Sequence, residues 1–383
     1  PTLRRSVRTG LALIASACLL ASCQNPDNRP ADETSATTPE SSASHSPTSS
    51  EPATTEATET SATESEGPRA TAEGHVVVLS TGGTIASTHD KTGAVVPTVT
   101  GSKLVEPLSG TFDKDKLTLE VKDIAKLDSS AMTLDDTDTI IEAVNKELQR
   151  DDVDGVVVTH GTDSMEETAI AVDTFQDSDK PVALTGAMRP FDDPDPDGPD
   201  NLALAVKTVT DPSNKGRGTF IAFADHVIHA RGAFKSDTTK ADGFANNNGK
   251  KQPQRPKALK FKPLGNTRVD IIAAYPGAPA DLIQRSLDSG AEGIVIEGMG
   301  AGNIGDELAQ AAKAAAKKVP VVLTTRVDHG PVEGIYGGAG GGATLADAGV
   351  ISSGTLRAPQ ARMLLAAAIT TDTDPAELFP DAD

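Results

Sequence analysis

The sequence predicts an α/β protein of two domains, on three observations. Short β-branched runs alternate with segments of helical periodicity through most of the 383 residues. The part able to fold, roughly 300 residues, exceeds one comfortable hydrophobic unit. Two segments rich in glycine and threonine, Thr81-Gly82-Gly83-Thr84-Ile85-Ala86 and His160-Gly161-Thr162-Asp163-Ser164-Met165-Glu166-Glu167, each follow an apolar run. In open α/β sheets that is where ligands bind, outside the carboxyl ends of the strands.

The first seventy-odd residues obey other rules. Arg4, Arg5 and Arg8 precede a short apolar stretch, residues 11–21, too short to span a bilayer and typical of an export signal. Leu20-Ala21-Ser22-Cys23 resembles a bacterial lipobox, so residues 1–23 read as a lipoprotein signal peptide with lipid attached at Cys23; an ordinary signal peptide with an incidental cysteine is the alternative. Residues 24–74 contain no Leu, Ile, Val, Met or aromatic side chain. Nothing there offsets ordering entropy, so the segment is expected to be a disordered tether with a root-mean-square reach of about 40 Å. The expected location is the cell envelope, on the outer face of the bacterial cytoplasmic membrane, or the secreted fraction. Cys18 and Cys23 are the only cysteines, so the exported body can form no disulfide and no thiolate metal site. The formal charge of −20 disfavours nucleic acid and anionic membrane faces as partners; contact with membrane is expected only through the lipid.

The elements follow in order. Residues 75–80 are β-branched and unbroken, a buried central strand that ends where the first glycines begin. Residues 153–159, 181–184, 219–223, 270–274, 293–296 and 320–323 read as further strands. Thr133, with Asp136 three residues on, makes a capping-box pattern for a helix to about 150 whose core face is Ile140, Ile141, Val144 and Leu148. Met165, Ala169 and Val172 give the next helix its stripe, and residues 201–209, 280–287, 306–317 and 355–369 are four more. A polar stretch at 243–262 is the expected interdomain connection.

Five segments in one order carry a resemblance to a known family. Beside the two above they are Leu184-Thr185-Gly186-Ala187-Met188-Arg189-Pro190, Asp197-Gly198-Pro199-Asp200-Asn201-Leu202 and Ser353-Gly354-Thr355-Leu356. From about Val76 to Leu365 the chain resembles bacterial L-asparaginases. The resemblance implies a larger N-terminal α/β domain with a mostly parallel central sheet, here 75–262, and a smaller C-terminal α/β domain, here 263–383. It further implies hydrolysis of L-asparagine to L-aspartate and ammonia through an acyl-enzyme, in a homotetramer whose sites lie between subunits. No cofactor and no metal are called for, and the seven histidines show no metal-ligand spacing.

By the same resemblance Thr84 corresponds to the nucleophile, and Thr162, Asp163 and Lys235 to a second polar group. A threonine hydroxyl is a poor nucleophile at neutral pH and needs a base to take its proton. A desolvated lysine can accept one through Thr162, while a plain Lys235–Asp163 ion pair is the structural alternative. Asp163 can also bind the substrate ammonium, and Ser129, with Ser130 beside it, corresponds to the group that receives the substrate carboxylate. Backbone amides around Gly83 and Gly161 are expected to form an oxyanion hole.

Two departures stand out. The loop that often carries a tyrosine after the first motif reads Asp90-Lys91-Thr92-Gly93-Ala94-Val95-Val96-Pro97, which makes Tyr336 the candidate for that role or else a packing anchor for its glycine-rich turn. Ala301 stands where the family often has asparagine. An amino-acid-binding lipoprotein with impaired turnover, and a glutaminase-asparaginase, are the alternative functions; one methylene separates the two enzyme readings, worth only about 1–3 kcal/mol.

Overall fold

A computed structural model describes residues 72–248 and 253–379. The export signal, Cys23 and nearly all of the expected tether lie outside the described residues, which belong to one compact unit.

The chain enters on β1 (Gly74–Gly82), makes a 3-10 turn at Thr84–Ala86, and forms a hairpin of β2 (Ser87–His89) and β3 (Val95–Pro97). A short α1 (Gly101–Val105), β4 (Leu117–Leu127), α2 (Leu134–Leu148), β5 (Gly155–Thr159), α3 (Met165–Phe175), β6 (Val182–Thr185) and α4 (Gly198–Thr210) come next. The antiparallel turn of β7 (Thr219–Phe223) and β8 (His226–His229) then leads to a small ladder, β9 (Ala233–Lys235) and β10 (Phe244–Asn246). After an irregular stretch follow β11 (Val269–Ala273), α5 (Asp281–Asp288), β12 (Gly293–Gly298), α6 (Asp306–Ala315), β13 (Val321–Thr325), α7 (Gly342–Ala346), β14 (Ile351–Ser352) and α8 (Ala358–Thr371).

The larger sheet has the order β4-β1-β5-β6-β7-β8 and is parallel apart from β8. The smaller is the wholly parallel β11-β12-β13-β14. Helices cover both faces of the inner strands, which is why Val76 to Leu79 and Val156 to Val158 are fully buried with no polar alternation. The chain leaves β1 towards β4 and then crosses back to β5, so the order reverses at β1 and β5. Such a reversal opens a crevice at the carboxyl ends of the two strands.

All seven expected strands are present. The eleven-residue β4 was not foreseen because Thr118, Glu120, Lys122 and Lys126 interrupt it; it is an edge strand, half exposed along most of its length. The capping box forms as read: Thr133 Oγ1 accepts the Asp136 N–H, and Asp136 accepts the Thr133 N–H at 2.8 Å. The last helix starts at Ala358, three residues later than expected, with Pro359 in its first turn, where a missing N–H costs nothing. Helix α8 packs against α3 on one side and the β11–β13 sheet on the other. That position explains why Met363 to Ala368 are buried all round rather than along one stripe.

Replacing Thr133 by Ala removes one half of the capping box. Stability is expected to fall by about 1 kcal/mol, read as a lower urea midpoint with an unchanged far-ultraviolet circular dichroism spectrum.

Candidate functional site

The first and second motifs meet through their backbones. Gly83 has φ +79°, and a Cβ placed on it would lie 2.4 Å from the Gly161 nitrogen and 2.5 Å from the Gly161 Cα. A Cβ on Gly161 would lie 2.3 Å from Ser129 Oγ. No side chain fits at either position, so glycine is what allows the ends of β1 and β5 and the end of β4 to converge. The Thr81 hydroxyl reinforces the junction by donating to Thr159 O at 2.7 Å. Thr84 and Thr162 each follow a glycine of this contact and so sit at the crevice.

Lys235 arrives from β9. Its Nζ lies 2.9 Å from Thr162 Oγ1 and 2.7 Å from Asp163 Oδ1, so the proton-relay contact and the ion pair exist together. The amine-bearing side chain is 21% exposed and that of Asp163 58%, which leaves the carboxylate open to a cationic ligand. Ser129 Oγ accepts the Asp163 N–H at 3.3 Å, and Ser164 Oγ donates to Ser129 O at 2.7 Å; Ser129 is therefore tied to the second motif and is only 8% exposed. Ser130 is exposed and closes a turn onto Asp128, from which its hydroxyl and N–H both reach Oδ1. A cavity of about 270 Å³ opens beside Ser129, Ser130 and Asp163, with Glu167 and Arg362 in its wall.

The backbone amides around Gly83 and Gly161 are not equivalent. The Gly83 N–H is committed to Leu127 O at 3.1 Å and cannot serve an oxyanion. The amides of Thr84, Gly161 and Thr162 have no protein partner among the described residues and are the donors at hand. Tyr336 is 54% exposed, and no hydrogen bond or aromatic contact joins its ring to the cluster among the described residues; such exposure is not that of a packing anchor.

Two further motif segments are braces. Asp197 accepts the N–H groups of Met188 and Arg189, each at 2.9 Å, while Asn201 bridges Gly186 O and the Ala224 N–H. Together they fix the turns after β6 and β7. The sequence reading gave no role to His160 or Glu166. His160 is wholly buried, its Nδ1 2.7 Å from Gly161 O and its Nε2 3.0 Å from Thr168 Oγ1. A carbonyl can only accept, so Nδ1 carries the proton and Nε2 accepts from threonine. Burial pushes the His160 imidazole down to about 4, and burial pushes the Glu166 carboxyl up to about 7. Both residues lie inside the second motif, and that was the only available signal.

Residues 75–256 match the family model "Asparaginase, N-terminal" and residues 268–379 the model "Glutaminase/Asparaginase C-terminal domain". The chain belongs to the asparaginase family. It is 34% identical over 341 residues to L-asparaginase 2 of Escherichia coli strain K12, covering 81% of this chain and 92% of that one. With L-asparaginase 2 of Bacillus subtilis strain 168 the identity is 32% over 324 residues, 79% and 84% of the two chains. The crystal structure of a probable cytoplasmic L-asparaginase from Campylobacter jejuni superposes with a TM-score of 0.68 at 30% identity, covering 80% of this chain and 98% of that one.

The buried imidazole has a consequence for stability. Its folded-state pKa is below the unfolded one, so the unfolded chain binds the extra proton and stability is lost as pH falls from about 6.5 towards 4. His160→Gln is expected to lose about 2–3 kcal/mol less than the wild type between pH 7.5 and 4.5, measured by denaturant unfolding at both pH values.

Proposed function

We propose that the protein hydrolyses L-asparagine to L-aspartate and ammonia through a covalent threonine intermediate. The observation that carries this reading is the hydrogen-bonded group Asp163–Lys235–Thr162, held at the crevice where Thr84 leaves β1, in a chain of the asparaginase family.

The Thr84 hydroxyl attacks the side-chain amide carbon, and its proton is drawn off towards the departing nitrogen. The C–N bond breaks, ammonia leaves, and an ester to Thr84 remains. Thr162, held by Lys235, then directs a water to that ester, which cleaves to aspartate and regenerates the hydroxyl. The free amides of Thr84, Gly161 and Thr162 stabilise the oxyanion of each tetrahedral stage. Asp163 takes the substrate ammonium and Ser129 its α-carboxylate. Both are anchored to one turn by the Asp163 N–H contact, which supports a fixed spacing between the two charges of the substrate.

The active form is a homo-oligomer, a tetramer by the family resemblance. Exposed Ile271 and Tyr275 along and beyond the edge strand β11, and exposed Ile335 and Tyr336, are apolar surface of the kind that copies of a chain cover. Tyr336 belongs to this surface and supplies the hydroxyl that the loop 90–97 lacks. Export and a lipid on Cys23 rest on the basic, apolar and lipobox pattern of residues 4–23.

Thr84→Ala is expected to lower ammonia release from asparagine by at least a thousandfold while aspartate still binds in isothermal titration. Full turnover in that variant would remove Thr84 as nucleophile. Assaying asparagine and glutamine side by side on the wild type separates the enzyme readings, and heat of binding without ammonia from either would support a binding protein.

A further inference from the structure

Lys235 does not owe its position to the main sheet. It ends β9, which among the described residues pairs only with the three-residue β10. Two buried side chains from helices hold it instead. Glu166, in the first turn of α3 and 7% exposed, accepts the Lys235 backbone N–H on its carboxylate. Gln360, on α8 and wholly buried, grips the turn just before β9: its Nε2 donates to Ala230 O at 2.7 Å and to Glu166 O at 3.1 Å, and its Oε1 accepts the Gly232 N–H at 2.9 Å. Every hydrogen-bonding direction of the Gln360 amide group but one is used: two of the bonds hold the turn that leads into β9 and the third holds the Glu166 backbone on α3.

Resting on the hydrolase reading above, we propose that Glu166 is the positioning residue for the Lys235 amine, with Gln360 as its second brace, so that Thr162 and Asp163 meet the amine only while both hold. Neither side chain needs to touch substrate. Removing the Glu166 acceptor leaves the Lys235 N–H without its partner at a half-buried position and frees the strand end to move, whereas glutamine at 166 retains an oxygen that can accept it. Burial also holds the Glu166 carboxyl up to about 7, with Glu167 on the same helix raising it further and Lys235 opposing. The helix across from it, α8, presents the neutral Gln360. The acceptor thus changes from a neutral acid to a charge-assisted carboxylate as pH passes through neutrality.

The test uses Glu166→Leu, Glu166→Gln and Gln360→Met in the full chain. Glu166→Leu is expected to lower kcat on asparagine at least tenfold with KM altered less than threefold. Glu166→Gln should restore most of that loss while abolishing an inflection near pH 7 in the wild-type profile of kcat/KM. Gln360→Met, which removes all three bonds, the one to Glu166 O included, but keeps the Glu166 carboxylate, should lower kcat in the same direction and serves as the test should Glu166→Leu not fold. Wild-type kcat and pH profile in the folded Glu166→Leu or Gln360→Met protein would overturn the proposal, as would equal losses in the Leu and Gln variants at 166. A readout independent of turnover is the rate at which acetic anhydride labels Lys235, resolved by mass spectrometry. A severalfold rise in Glu166→Leu or Gln360→Met over the wild type supports positioning, and no change overturns it. If the wild type releases no ammonia, the hydrolase reading fails by itself and the labelling comparison still decides this one.

Discussion

Everything at the crevice depends on how closely two backbones approach. Gly83 and Gly161 stand at the ends of neighbouring parallel strands with no room between them for a single carbon substituent. That contact turns two separate threonine-bearing loops into one site, and it draws Ser129 in from the neighbouring edge strand β4. The parallel register of β1 and β5, in which Ser80 lies opposite Thr159, brings the two motifs to the same height. The hydrogen bond from Thr81 across to Thr159 keeps them there. Buried aliphatic strands supply the rigidity and the glycines supply the clearance.

The framework was legible because the inner strands of a parallel sheet announce themselves. Val76 to Leu79 and Val156 to Val158 have apolar neighbours on both faces, so no polar residue interrupts them. The edge strand β4 could not be seen, since one side of it faces water and its residues read like a loop. The motifs placed Thr84, Thr162, Asp163 and Lys235 at the crevice from glycine spacing and family likeness. What the sequence could not show was division of labour inside a motif. Glu166 and Asp163 are both acids of the same segment, yet one is 7% exposed and bonded to backbone while the other opens to solvent. Nor could spacing reveal that the Gly83 amide is consumed by Leu127, because that bond depends on a register shift where β4 runs out against β1.

Charge placement around the site follows the same division. The ionisable groups that meet solvent, Asp163 and Lys235, are paired with each other. Those sealed behind them, His160 and Glu166, are each pushed by burial towards the neutral form. A site meant to admit a zwitterion keeps its charges at the opening and its interior neutral, which limits the desolvation that full burial of charge would cost.

The place of α8 in the chain has a bearing on biosynthesis. This helix begins at Ala358, far along the chain from Thr84, yet its Gln360 fastens the strand end that carries Lys235, and its apolar surface packs between α3 and the smaller sheet. A nascent polypeptide lacks that brace until α8 has been made and has docked. The contacts of Lys235 therefore close only after a helix far downstream of Thr84 has docked, and a partly folded chain carries its chemistry unassembled.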